Sequence, residues 1–549
     1  MSYYAAFLIS TFIALILTPA LMRHAVSIGV IDEPNERKVH NSAIPRIGGV
    51  AMVLATIVPL ILWLPLEVPY IAICSSILVI FIFGFWDDRK ELSYKIKFSG
   101  QMLAASIVVI GGKIYIKELP LPEYINLGTP LLYGLTIFFL VGITNAMNMT
   151  DGLDGLAGGI TLLSFCVIAV LSIGSDSPYV LLITVAVVGG VLGFLRFNSH
   201  PAIVFMGDTG SQFLGFVLGL EAIMLTQFDG DYSFSQSLPL LILGLPLLDT
   251  LLVILVRIKQ GKSPFHADNN HIHHRLLKLG LNHYQAVATL YLMQTVFVLS
   301  AYYMAYSEDM LPFYVFCFYG FVIVAIFWLI ENSKITLLHY VPYSYFKKNS
   351  VLIVRNIPLK AIVSAPVPAV ICTIVVLSVL VNPDVSSRLS PDIAALSLLL
   401  LLSSFYFFFV RYGDTYYRVI FATFSALLVY LAPHFGESNT FSLYGIFEFT
   451  IFFSLVIWLA LNVYIGDVGS FKTNPFDILI ILVLLVMPFL IDVGDEIKSY
   501  VLMLVKFIII LYSFELLISK NELKHLAKYH YLLAISSLLI FFKYLLVSS

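Results

Sequence analysis

Apolar runs of about 20 residues recur from one end of this chain to the other, each long enough to cross a hydrocarbon core as a helix. A segment in lipid must satisfy its own backbone hydrogen bonds, so runs of this length can only become bundled helices. The pattern predicts spans over residues 2–22, 47–65, 69–86, 98–112, 128–147, 156–173, 179–197, 210–226, 237–257, 285–305 and 311–331. After a polar stretch at 332–360, further spans are predicted near 361–381, 392–410, 419–433, 441–464, 477–491, 499–518 and 530–547. The expected fold class is therefore all-α: a polytopic helical membrane protein with about 11 transmembrane helices in its first part and about 7 more at its C-terminus. Composition agrees, with 60% hydrophobic and 12% charged residues, where soluble domains carry about 25% charged. Residues 2–22 lack a basic leader and a small-residue cleavage site, so they read as a retained first span.

Loop charge sets the expected orientation. One set of loops carries Arg23, Arg37, Lys38 and Arg46, then Arg89, Lys90, Lys95 and Lys97. The same side continues with Arg257, Lys259, Lys262, Arg275 and Lys278, and with the lysines and arginines of 334–360. Opposite loops hold little beyond Lys113, Lys117, Arg388 and Lys498. The basic side is expected to be cytoplasmic, which puts the N-terminus outside. No basic run suggests nucleic acid. The four cysteines, Cys74, Cys166, Cys317 and Cys372, stand singly inside apolar segments, where neither a disulfide nor a zinc site is indicated.

Five polar clusters punctuate the first eleven spans, and all are expected on that basic face: residues 32–49, 87–101, 145–159, 198–211 and 261–275. A transporter would place its polar groups near the bilayer midplane, often on broken helices. Carboxylates and histidines gathered at one face point instead to an enzyme joining a soluble donor to a lipid acceptor. The adjacent Asp87 and Asp88 can hold a cation, or one can hold it while the other takes a proton. Lys97, nine residues on, can reach a phosphate. Asn145, Asn148, Asp151 and Asp154 recur at threes, which on a helix places them along one face. Asp208, between Gly207 and Gly210, is either an ordinary helix cap or a magnesium ligand, since Mg²⁺ takes one or two carboxylates with phosphate oxygens and water. His271 and Arg275, at i and i+4, could donate to a diphosphate. Neither a Walker-type loop nor a dinucleotide fingerprint is present.

The clusters read, in order, DEPNERKVH with PRIGG, DDRKELSYKIKFSGQ, NAMNMTDGLDGLAGG, FMGDTGS and ADNNHIHHRL. In that order and spacing, residues 1 to about 340 resemble the polyprenyl-phosphate N-acetylhexosamine-1-phosphate transferases, glycosyltransferase family 4. The His-Ile-His-His form is similar to the undecaprenyl-phosphate N-acetylglucosaminyl-1-phosphate transferase branch. The resemblance implies a sugar-1-phosphate transferase domain over residues 1–345, followed by an additional transmembrane region, 350–549, of unassigned role. It implies transfer of N-acetylglucosamine-1-phosphate, or a related amino-sugar phosphate, from a UDP-N-acetylhexosamine to undecaprenyl phosphate, with release of UMP. It also implies Mg²⁺ as cofactor, with Mn²⁺ able to substitute, and a multi-pass position in the inner (plasma) membrane with the active site on the cytoplasmic face. Asn148 and Asp208 would lie at the metal, Asp87 and Asp88 at acceptor activation, and the catalytic carboxylates Asp151 and Asp154 around the donor. Substrate would be bound by Lys97, Asn145, His271, His273, His274 and Arg275. Membrane lipids are expected partners, and a homodimer is compatible with this reading. The rival classes are a lipid-linked-sugar flippase or secondary transporter, and a bifunctional chain with a C-terminal polymerase or scaffold module.

Overall fold

The computed structural model describes residues 3–32, 43–120, 127–175, 177–227, 234–263 and 271–332. The spans expected beyond residue 360, the region 350–549, and the motif residues 33–42 and 264–270 lie outside the described residues. From Ile9 on, the described residues belong to one compact unit.

Each span expected before residue 332 is helical. The first are α1 (Tyr3–Ile28), α2 (Gly48–Trp63), α3 (Val68–Lys90) and α4 (Tyr94–Ser106), the last running into a π-turn at Ile107–Gly111. Then come α5 (Thr129–Thr150), α6 (Leu156–Gly174), α7 (Pro178–Asn198) and α8 (Gly207–Gln227). The described chain ends with α9 (Leu238–Ile242), α10 (Gly244–Lys259), α11 (Ile272–Lys278), α12 (His283–Tyr303) and α13 (Met310–Asn332). Among the described residues, eight helices are long and apolar enough to cross a membrane: α1, α3, α5, α6, α7, α8, α12 and α13. A two-residue antiparallel pair, β1 (Ile31–Asp32) with β2 (Ile44–Pro45), brackets the first motif loop.

The span expected over 237–257 is broken at Leu243, and Pro246 explains the break. A proline inside a helix loses its own N–H and crowds the carbonyl four residues back, here that of Ile242. That carbonyl accepts instead from Ser164 Oγ (2.8 Å) and Gln294 Nε2 (3.1 Å). The Leu245 N–H next to the break donates to Gln294 Oε1 at 2.9 Å. Side chains from α6 and α12 thus satisfy the backbone that α9 and α10 cannot satisfy themselves.

Helix α8 is the axis of the bundle: 94% of its most apolar stretch is buried, against 28% for the peripheral α13. It packs most extensively on α5 and α3, and then on α2. The segment before it is tied to the start of α2, because Phe205 N–H donates to Pro45 O (2.8 Å) while Gly48 and Gly49 N–H donate to Phe205 and Met206 O (2.9 Å each). The first polar cluster therefore sits on the fourth. Reversals between successive helices carry the others to the same end of the bundle.

Candidate active site

The site is built around the first turn of α8. Asp88, near the end of α3, accepts the Asp208 N–H at 2.7 Å on one oxygen. Its other oxygen accepts the Thr209 N–H at 2.9 Å and the Thr209 hydroxyl at 2.5 Å. Unpaired N–H groups at a helix start favour a carboxylate, and Asp88 supplies one from a residue 120 positions earlier. Gly207 makes this approach possible: its φ is +67°, and a Cβ there would collide with the Asp88 carboxylate.

With α8 docked, Asp208 reaches the Lys97 ammonium (3.1 Å), which also pairs with Asp87. The second oxygen of Asp87 accepts Leu92 N–H at 2.7 Å, closing the turn between α3 and α4. Asn148, on α5, lies within hydrogen-bonding reach of the Asp208 carboxylate. Its Oδ1 accepts the Ser211 hydroxyl at 2.6 Å. Asn145, one turn deeper, is engaged between helices: its amide donates to Gln101 Oε1 (2.6 Å) and Val141 O (2.8 Å), and Gln101 in turn donates to Gln212 Oε1 (3.1 Å).

The i, i+3 series does not stay on one helix. Helix α5 ends at Thr150, Asp151 is its C-cap, and Gly155 turns with φ +77°. Asn145 and Asn148 therefore ride on α5, while Asp151 and Asp154 lie on the turn that follows. Enclosure by protein, then the Asp208, Asp154 and Asp88 carboxylates, push Asp151 up to about 7, although part of its surface is exposed. For Asp154 burial acts in the same direction but is outweighed by hydrogen bonds from His200 and Ala202 N–H, so its carboxyl is held below the ordinary range. His200 Nδ1 and Ala202 N lie 2.6 and 3.1 Å from Asp154 Oδ2.

His283 completes a trio with Asp154 and His200, with donor atoms within 4.8 Å of one another. The two imidazoles are stacked, with centroids 3.9 Å apart and planes at 19°. Ring nitrogens offer their lone pairs in the ring plane, so nearly parallel rings do not converge on one ion. As arranged, the trio is a clamp between the α5–α6 and α7–α8 turns and the start of α12.

Histidines of the last motif close the other side. His273 packs directly on Gly152, where a Cβ would strike its ring. Burial, then His274, lowers His273 to about 4, so it is neutral near pH 7. His271 Nδ1 lies 2.8 Å from Asp249 Oδ2, and the Arg275 guanidinium lies over the Phe327 ring at 4.6 Å. His271 and Arg275 thus do not face one anion together here, while the His274 ring lies beside His273, tilted by 45° with centroids 4.2 Å apart. Asp249, His200 and His283 were not singled out from sequence. His200 stood unnamed in the fourth polar cluster, and Asp249 carried a signal as a lone carboxylate inside the apolar run 237–257.

The glycosyl transferase family 4 model matches residues 70–226. A probable undecaprenyl-phosphate N-acetylglucosaminyl 1-phosphate transferase of Bacillus subtilis (strain 168) is 39% identical over 300 residues, covering 54% of this chain and 83% of the relative. The chain belongs to glycosyl transferase family 4. Another similar protein is the decaprenyl-phosphate N-acetylglucosaminephosphotransferase of Mycolicibacterium smegmatis, 35% identical over 303 residues, with 49% of this chain and 73% of the relative covered. The undecaprenyl-phosphate alpha-N-acetylglucosaminyl 1-phosphate transferase of Escherichia coli (strain K12) is 30% identical over 271 residues, covering 48% and 73%. The resemblance carried by the five motifs is borne out at the level of the family. The segment matched by the family 4 model runs from α3 into α8, and so contains the carboxylates from Asp87 to Asp208 but not the histidines of the last motif.

Proposed function

We propose that this membrane enzyme transfers N-acetylglucosamine-1-phosphate, or a closely related amino-sugar phosphate, from the UDP-sugar to a polyprenyl phosphate such as undecaprenyl phosphate. An oxygen of the lipid phosphate would attack the sugar-bearing phosphorus. The bond from that phosphorus to the oxygen bridging the two phosphates would break, and UMP would leave with that oxygen. The observation that carries this reading is the gathering of the described parts of the five polar clusters at one end of an apolar bundle. There a water-soluble nucleotide and a lipid headgroup can meet. The relatives' names, which give polyprenyl phosphates and N-acetylglucosamine phosphate, support the same reading. The basic loops favour the cytoplasmic face of the plasma membrane.

The residues present suit Mg²⁺. Asp87, Asp208 and Asn148 offer hard oxygen donors of the kind this ion prefers, and the Asp88 carboxylate, bonded to the Asp208 N–H, lies beside them. Asp208 and Asn148 would hold the ion, which would offset charge on the diphosphate as its bond breaks. Lys97, paired with Asp87 and Asp208, would contact a phosphate oxygen from that side. Asp87 holds or accepts a proton at its carboxylate, and Asp88 keeps the α8 terminus in register. Asp151 and Asp154 form the turn facing the histidines, where the donor would lie. Positioning and electrostatics dominate phosphoryl transfer, and a rigid cluster of this kind supplies both.

Purified full-length protein should release UMP only when UDP-N-acetylglucosamine and undecaprenyl phosphate are both present. EDTA should stop the release, and Mg²⁺ or Mn²⁺ should restore it. UMP release without lipid phosphate, or restoration by Zn²⁺ alone, would tell against this account.

A further inference from the structure

We infer that Asp249 is a positioning residue that fixes the His271 imidazole for the transfer reaction, an inference that rests on the function proposed above. Asp249 lies on α10 just beyond the Leu243 break, and both it and His271 are only 6% exposed. Its two oxygens are divided: Oδ1 accepts Ile272 N–H at 2.8 Å, and Oδ2 lies 2.8 Å from His271 Nδ1. The first bond caps the start of α11, a task that a neutral serine or asparagine does well. A carboxylate buried in a membrane bundle is costly without a specific partner, so the cap alone does not account for the charge.

The imidazole does account for it. A carboxylate at Nδ1 selects the tautomer protonated there, leaving Nε2 as an acceptor and the ring held in one plane. The two ring nitrogens point in nearly opposite directions, so Nε2 is aimed away from Asp249. The ring lies parallel to His273, at 10° and 5.7 Å between centroids, and His273 rests on Gly152 between the Asp151 and Asp154 positions. A chain of fixed groups therefore runs from α10 through two imidazoles to the turn assigned to the donor. Asparagine at 249 would keep the size and could still cap Ile272. Its amide, however, would present N–H to Nδ1 and so move the ring proton to Nε2.

The test is a cycle of full-length variants in native membranes: Asp249→Asn, His271→Gln and the double substitution. Glutamine at 271 places an amide near the Nε2 position that does not depend on Asp249. Asp249→Asn alone should lower kcat/KM for the UDP-sugar at least 30-fold, with KM for the lipid phosphate unchanged within twofold. In the His271→Gln background the same substitution should cost less than threefold. Equal losses in both backgrounds, or a loss below threefold in the wild type, would overturn the assignment. Should Asp249→Asn fail to insert, the cycle run with Asp249→Glu, which keeps the charge but displaces the carboxylate, decides between the same outcomes. Wild-type protein without UMP release would overturn the transfer reading itself. Wild-type release with equal losses in the cycle would overturn the Asp249 assignment alone.

Discussion

Asp208→Asn is expected to lower turnover at least 100-fold, about 2.7 kcal/mol of barrier, without changing the amount of protein in the membrane. The Asp208 carboxylate sits where α3, α4, α5 and α8 meet, bonded to Lys97 and within reach of Asn148. Asparagine keeps its volume, and its backbone N–H can still donate to Asp88, so the α8 terminus should stay docked. What disappears is the negative charge at a site proposed to hold Mg²⁺. UMP release by purified protein, with membrane content measured alongside, checks this. Retention of more than about a tenth of wild-type turnover at saturating Mg²⁺, a deficit of only ~1.4 kcal/mol, would remove Asp208 from the chemistry.

Lys97→Met is expected to lower turnover about 100-fold, within the range seen when a preorganised electrostatic group is removed. The same change should lower the Mg²⁺ concentration needed for half-maximal activity. The two effects have opposite sign because Lys97 plays two parts. Its ammonium pairs with both Asp87 and Asp208, so it competes with a cation for their field. It is also the cationic side chain proposed to hold a phosphate oxygen there. A titration of Mg²⁺ against UMP release at fixed substrate separates the two. An unchanged Mg²⁺ requirement would show that the carboxylates paired with Lys97 do not hold the ion.

The helical spans were legible because lipid leaves so few alternatives, and a 20-residue apolar run reports its own fate. The break at Leu243 was legible in principle, since Pro246 stands inside the run. What the sequence concealed was the identity of the partners, Ser164 and Gln294, that make the break tolerable. The site shows the same division. The motif residues announce themselves through cost, as carboxylates and histidines beside apolar spans. Their assignments depend on which helix each one faces. Asp88 looked like half of a cation-holding pair, yet its oxygens are spent on the α8 terminus, 120 residues away. Asn145 looked like a pocket residue, yet its amide joins an interhelical ladder with Gln101 and Gln212. His200, in the fourth polar cluster, and His283, at the start of α12, stack directly on each other, and each also bonds to Asp154. Spacing along the chain cannot report such contacts, which arise from packing between segments far apart in sequence.

Isotopic labels show which bond of the donor is broken. UDP-N-acetylglucosamine carrying ³²P at the sugar-linked phosphate and ¹⁴C in the sugar should be given to the full-length protein with undecaprenyl phosphate and Mg²⁺. Both labels should pass into the lipid in equal amounts, with unlabelled UMP in the aqueous phase. Sugar label in the lipid with the ³²P left behind in UDP would mean that the sugar moves without its phosphate, and would contradict the account.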